Sequence, residues 1–283
     1  MSQIRIVTDS TADIPADLQE ALGIEVIPLK VHFGMDTYRD QIDMSSEVFF
    51  ENLTSAAVLP TTSQPSPVQF VETYKRMLDA ADTSVISVHL SSGLSGTYQS
   101  AILAKSMMDD SADLTVIDSK SASYGFGSIV VAAAEAARAG QSKDEIINLI
   151  HSMRQQLKLY FLVDTLEYLQ KGGRIGKAAA LVGSLLNIKP ILSVSNEGTV
   201  YSVDKVRGQK KAMARIIELL KQDLGDKPLN ITIAHAAALD SAELFNEMML
   251  QNFVVKSTRY TQIGPVVGTH TGPGTVAVFV NPV

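Results

Sequence analysis

Residues 84–98 read Ser84-Val85-Ile86-Ser87-Val88-His89-Leu90-Ser91-Ser92-Gly93-Leu94-Ser95-Gly96-Thr97-Tyr98. An apolar, β-branched run meets a loop of small and hydroxylated residues, and a helical pattern follows over 96–108. A strand that passes through a short loop straight into a helix is the building unit of a parallel sheet. The start of that helix leaves backbone N–H groups unpaired and carries the positive end of the helix dipole. Glycine lets the backbone come close to a ligand and hydroxyls add donors, so the loop reads as an anion cradle. It has neither G-x-G-x-x-G nor G-x-x-x-x-G-K-[ST] spacing, which points to an anion smaller than a nucleotide, a carboxylate or a single phosphate. The competing reading is that Ser95 only caps its own helix.

The same unit repeats outward. Strands are expected at 4–8, 26–33, 85–90 and 114–117, and helices at 45–53, 68–80, 96–108 and 125–139. Ser66-Pro67 supplies an N-cap and first helical residue, and Ser142-Lys143-Asp144-Glu145 is a capping box for a helix running to about Leu157. This alternation predicts a parallel sheet covered on both faces, with ligands beyond the C-terminal strand ends. Asp9-Ser10-Thr11 and the Ser91–Ser95 loop would share that edge. Past residue 157 the pattern changes. Strands are expected at 160–163, 191–194, 199–206, 231–234, 254–261 and 275–280, with helices at 166–170, 178–187, 210–224 and 241–252. Asn196-Glu197-Gly198 is a hairpin turn, so this part reads as α+β with a partly antiparallel sheet. The expectation is an α/β chain of two domains, 1–157 and 158–283.

Composition narrows the function. The chain has 283 residues, 46% of them hydrophobic and 19% charged, and no cysteine, which excludes disulfides, thiolate nucleophiles and Cys-based metal sites. The opening residues enter a strand without a signal-peptide pattern, and no apolar run approaches the roughly 18 residues of a membrane span. A cytoplasmic protein is expected. The net charge of −6 is uneven: residues 1–155 hold 10 Lys+Arg against 20 Asp+Glu, residues 156–283 hold 14 against 10. A pI near 5.4 and the lack of any basic-aromatic run argue against nucleic acid.

Four further segments are polar enough to carry chemistry. Pro60-Thr61-Thr62-Ser63-Gln64-Pro65-Ser66-Pro67 reads as a stiff loop ending in a helix cap. Gly264-Pro265-Val266-Val267-Gly268-Thr269-His270-Thr271-Gly272-Pro273-Gly274-Thr275 reads as a glycine-rich loop that brings His270 to a ligand. Lys171-Gly172-Gly173-Arg174-Ile175-Gly176-Lys177 fails the P-loop pattern yet suits phosphate, and Lys205, Arg207, Lys210, Lys211 and Arg215 form a second basic group. Together these two groups suggest a docking surface for an anionic partner. The five histidines are scattered without metal-ligand spacing. Ser95, His270 and Asp9 make a catalytic triad on paper, but no G-x-S-x-G elbow supports it.

Taken in order, Val7-Thr8-Asp9-Ser10-Thr11-Ala12-Asp13, Thr62-Ser63-Gln64-Pro65-Ser66, Leu90-Ser91-Ser92-Gly93-Leu94-Ser95-Gly96-Thr97-Tyr98-Gln99-Ser100-Ala101, Lys171-Gly172-Gly173-Arg174-Ile175, Lys205-Val206-Arg207-Gly208 and Thr269-His270-Thr271-Gly272-Pro273-Gly274-Thr275 resemble the DegV family of bacterial fatty-acid-binding proteins across essentially the whole chain. The resemblance implies a long-chain fatty acid held between the two domains. Its carboxylate would be bound by Thr62, Ser95 and His270, with Gly96 as a backbone donor. It further implies that the acid is presented to a separate ATP-dependent fatty acid kinase, which makes the acyl phosphate, with Arg207 as a docking residue; Arg174, from the first basic group, is the second docking candidate. On this reading the chain is a carrier without catalytic residues or cofactor. The alternatives are a lipid hydrolase or phosphotransferase using Ser95 and His270, or a kinase-independent fatty acid sensor.

Overall fold

A computed structural model describes residues 3–79, 82–183 and 188–283. The chain begins with β1 (Gln3–Asp9), α1 (Ala16–Leu22), β2 (Glu25–Ile27), β3 (Lys30–Phe33), β4 (Asp36–Arg39), α2 (Ser46–Ser55), β5 (Thr61–Ser63) and α3 (Pro67–Met77). It continues with β6 (Thr83–His89), α4 (Thr97–Ser106), β7 (Leu114–Asp118), α5 (Tyr124–Arg138) and α6 (Lys143–Gln156). The second half holds β8 (Lys158–Leu162), α7 (Glu167–Lys171), β9 (Ile188–Val194), β10 (Val200–Arg207), α8 (Gln209–Leu224), β11 (Leu229–His235), α9 (Leu239–Asn252), β12 (Val255–Gln262), α10 (Pro265–Thr271) and β13 (Val276–Pro282).

The first sheet has the order β2-β1-β6-β7 and is wholly parallel. Its two faces alternate with the pleat: Val7 and Val85 pack with Phe70 and Tyr74 of α3 and Ala101 and Ala104 of α4, whereas Ile6, Ile86 and Val88 pack with α5. Both faces are therefore covered, as strand–helix alternation requires. The second sheet, β10-β9-β8-β13-β11-β12, is antiparallel apart from the β11–β12 pair. Here Tyr160, Leu162, Val276, Val278 and Val280 face α8 and α9, while Phe161, Ala277 and Phe279 face the first half. One hydrophobic core thus runs from Ile6 and Ile86 through α5 to Phe161 and Phe279.

Three local expectations are corrected. The single strand expected at 26–33 divides at Pro28: β2 joins the parallel sheet, and β3 joins a separate antiparallel sheet, β4-β3-β5. Between them, Leu29 N donates to Ser10 Oγ at 3.1 Å instead of to a ladder. The stretch read as a plain loop before Ser66 contributes β5, whose Thr61 and Thr62 pair with His32 and Val31. The helix expected at 178–187 is a 3-10 turn over Gly176–Leu181; residues 184–187, like residue 80 at the end of another expected helix, lie outside the described residues.

Candidate functional site

The C-terminal ends of β1 and β6 open onto a cavity between the halves, with about 890 Å³ of space free of protein atoms, its opening to solvent included. Leu29, Leu90 and Leu94 from the first half face Phe161, Leu169 and Phe279 from the second. One wall is α10 and the residue leading to it. Ile263, Val266, Val267, His270 and Thr271 all line the cavity, the three- and four-residue spacing of one helix face. Residues 265–271 of the glycine-rich segment are therefore a helix and not part of the loop expected. Pro265 opens it at the first turn, and Gly272, with φ of 77°, ends it.

The polar lining gathers around His270. Its Nε2 lies 2.9 Å from Thr62 Oγ1, while Nδ1 is enclosed with no hydrogen-bond partner among the described residues. Gly172 makes that enclosure: a Cβ there would stand 2.3 Å from Nδ1, so the Lys171-Gly172-Gly173-Arg174 segment carries glycine for close approach to the ring. Burial, followed by the charge of Arg174, lowers the His270 pKa to about 4, and the ring is neutral at pH 7. Arg174 lines the same cavity. Its Nε donates to Leu94 O at 3.0 Å and its Nη1 to Gly172 O at 2.7 Å, and among the described residues it forms no ion pair. A half-buried guanidinium satisfied only by carbonyls leaves its charge available to an anion.

Ser95 completes this end. Its Oγ is 2.9 Å from Thr97 Oγ1 and accepts weakly from Thr97 N at 3.3 Å, so it supports the start of α4 while lining the cavity. Gly96 is the N-cap, without a side-chain cap, and the Gln64 amide covers it so closely that a Cβ would meet Nε2 at 2.8 Å. The structure thus brings Thr62, Ser95, Arg174 and His270 onto one cavity and sets Gly96 beside it. Arg207 stands apart, exposed at the end of β10 with Lys205, Lys210 and Lys211, while Arg215 is neutralised by Asp204 and Glu218. Arg174, expected with Arg207 at a partner contact, is turned into the cavity wall.

The triad drawn from the sequence does not assemble. Asp9 Oδ2 lies 3.0 Å from His89 Nδ1 and accepts Leu90 N at 3.0 Å, fully buried, while His270 pairs with Thr62 and Ser95 with Thr97. Among the described residues no group of three or more His, Cys, Asp or Glu could hold a metal, and no helix is long and apolar enough to cross a membrane. Sequence reasoning missed Asp13 and Asp40, whose buried carboxylates accept Gly264 N at 3.0 Å and Val266 N at 3.2 Å at the start of α10. Asp13 lies in a quoted motif, but nothing local signals its partner.

Fold and site define an α/β protein with an apolar cavity that ends in donors suited to a small anion. The family model described as an uncharacterised protein of the DegV family matches residues 3–283, and the chain belongs to that family. Protein DegV of Bacillus subtilis is 38% identical over 277 residues, covering 97% of this chain and 98% of the relative. The solved structure of a DegV family protein from Thermus thermophilus, described as fatty acid binding, is 36% identical with a TM-score of 0.93 over 100% of both chains. The crystal structure of DegV from Bacillus subtilis, a fatty acid binding protein, gives 36% identity and a TM-score of 0.87 over 100% of both chains.

Proposed function

We propose that the cavity binds a long-chain fatty acid, its carboxylate at the Thr62–His270 end and its acyl chain along the apolar face of α10. The observation that carries this reading is the junction of an apolar cavity with a hydroxyl, a neutral imidazole and a guanidinium that, among the described residues, lacks a carboxylate partner. Each methylene removed from water adds about 0.8 kcal/mol, so the chain supplies affinity and the polar end supplies direction. We assign the His270 proton to Nε2, because an unpaired lone pair at the enclosed Nδ1 is better tolerated than an unpaired N–H. Nε2–H then donates to Thr62 Oγ1, and the Thr62 hydroxyl in turn donates a hydrogen bond to the carboxylate. Ser95 Oγ and the Gly96 N–H add donors, and Arg174 balances the charge.

The finer reading is that the protein is a carrier in a cysteine-free, cytoplasmic setting, needs no cofactor, and presents its ligand to a separate ATP-dependent fatty acid kinase that makes the acyl phosphate. The exposed cluster around Arg207 supports this reading by offering the partner a docking face. Mass spectrometry of lipid extracted from denatured protein is expected to find fatty acid. A preparation that is empty and binds neither oleate nor palmitate overturns the proposal. Mixed with a fatty acid kinase catalytic subunit, ATP and oleate, the protein is expected to support acyl phosphate formation, and Arg207→Ala to slow it without weakening oleate binding. If no acyl phosphate forms while oleate binds, the kinase-independent sensor replaces the carrier.

A further inference from the structure

The helix that carries His270 is anchored by two carboxylates remote in sequence. Asp13 Oδ1 accepts Gly264 N at 3.0 Å and Gln41 Nε2 at 3.1 Å, and Asp13 Oδ2 accepts Ser123 Oγ at 2.5 Å. Asp40 Oδ1 accepts Val266 N at 3.2 Å, and its Oδ2 accepts Ser10 Oγ at 2.7 Å. Both side chains are buried. The backbone around Asp13 is also unusual. Of six non-glycine residues with positive φ among those described, three meet at this carboxylate: Asp13 itself (φ 50°), Gln41 (φ 59°) and Ser123 (φ 53°, ψ −150°). Such backbone persists only where surrounding contacts over-determine it, and it gathers at ligand clamps.

The arrangement acts at one turn's distance. Val266, whose amide Asp40 holds, and His270 are four residues apart and line the same cavity wall. An α-helix rises ~1.5 Å per residue, so the anchored amide sits about 6 Å along the axis from His270. A shift or rotation at the first turn is carried directly to the ring and to its 2.9 Å contact with Thr62.

We propose that Asp13 and Asp40 are positioning residues for the head-group site: by gripping the leading amides of α10 they fix where His270 and Thr62 meet a bound carboxylate. Burial raises the pKa of Asp40 to about 6 and that of Asp13 well above the ordinary value, with the neighbouring carboxylates adding to both shifts. Burial therefore works against the charged form of both anchors, as expected of groups kept for placement and not for stability.

The inference rests on the fatty acid reading and is tested separately from it. Delipidated Asp13→Asn and Asp40→Asn proteins are compared with the unaltered protein by oleate titration, thermal unfolding and NMR of the His270 ring. Oleate affinity is expected to fall at least ~tenfold, a loss of about 1.4 kcal/mol. The unfolding temperature is expected to stay within about 2 °C or rise. The His270 ring pKa is expected to move up from about 4 toward 6.5 as its enclosure loosens. Folded variants that bind oleate within about twofold of the unaltered protein overturn the proposal. So does an affinity loss that follows a fall in unfolding temperature while the His270 signals stay in place. Should Asp13→Asn not fold, Asp40→Asn decides alone. Failure of the unaltered protein to bind oleate would instead refute the fatty acid reading.

Discussion

Two histidines divide this molecule into what is finished and what is waiting. His89, fully buried in the first sheet, has both ring nitrogens engaged: Nδ1 lies 3.0 Å from Asp9 Oδ2, and Nε2 lies 2.6 Å from Ser87 Oγ, which in turn accepts from Tyr74 OH. His270 has one nitrogen on Thr62, the other without a partner among the described residues, a guanidinium nearby and a cavity in front. A closed polar network rigidifies a core, whereas an open one beside a void leaves donors for a guest. Burial alone does not separate the two rings; the closed network around His89 and the cavity in front of His270 do.

Breaking the closed network is expected to have the largest effect. Asp9→Ala leaves His89 and the Leu90 amide unmatched in a dry core and should destabilise the protein by roughly 3–5 kcal/mol in urea unfolding. A loss below about 1 kcal/mol would show that this network is not scaffolding. The open site should respond the other way round. His270→Ala and Arg174→Met should each weaken oleate binding by roughly ten- to hundredfold, the scale of hydrogen bonds to a charged group, with less effect on stability than Asp9→Ala. Equal stability losses at Asp9 and His270 would erase the distinction. Ser95→Ala removes a neutral hydroxyl, and its expected cost in oleate affinity is about 0.5–1.5 kcal/mol with no gain or loss of ester turnover.

The smallest effect is in acid, where two groups pull in opposite directions. His270 has a lowered folded pKa, so the unfolded chain takes up its proton first and stability falls as pH drops from 6.5 toward 4. Asp40 has a raised folded pKa near 6, so the folded chain takes up the proton first and acid stabilises through it below that pH. Thermal unfolding measured from pH 7 to pH 4 should therefore be less acid-sensitive in His270→Gln and more so in Asp40→Asn. Identical profiles in both variants would contradict this assignment.

How much of this was legible in the sequence depends on how local each signal was. The β6–loop–α4 unit, the Ser66-Pro67 helix start, the capping box at Ser142 and the β9–β10 turn are written within a few residues, and each appears where its pattern placed it. The small β4-β3-β5 sheet was not legible, because strands of three and four residues are too short to show a period. Pro28 was the available sign that 26–33 could not be one strand. α10 was hidden by its glycines and prolines, and what steadies its start comes from Asp13 and Asp40, 251 and 226 residues away. The place of Arg174 on the cavity was hidden for a related reason: its charge is visible in the sequence, but its direction is set by Leu94 O and Gly172 O.

α5 touches both halves at its very start. A Cβ on Gly127 would strike Ala12 O of the first half at 2.2 Å, and one on Gly125 would meet the Phe279 ring of the second at 3.1 Å. The helix works as a keel joining two hulls: neither sheet can lose its inner face without stripping α5 and exposing the other. Heating should accordingly melt the chain in a single calorimetric peak, and a ligand lodged in the seam should raise that peak as a whole, making ligand content a hidden variable in every melting curve.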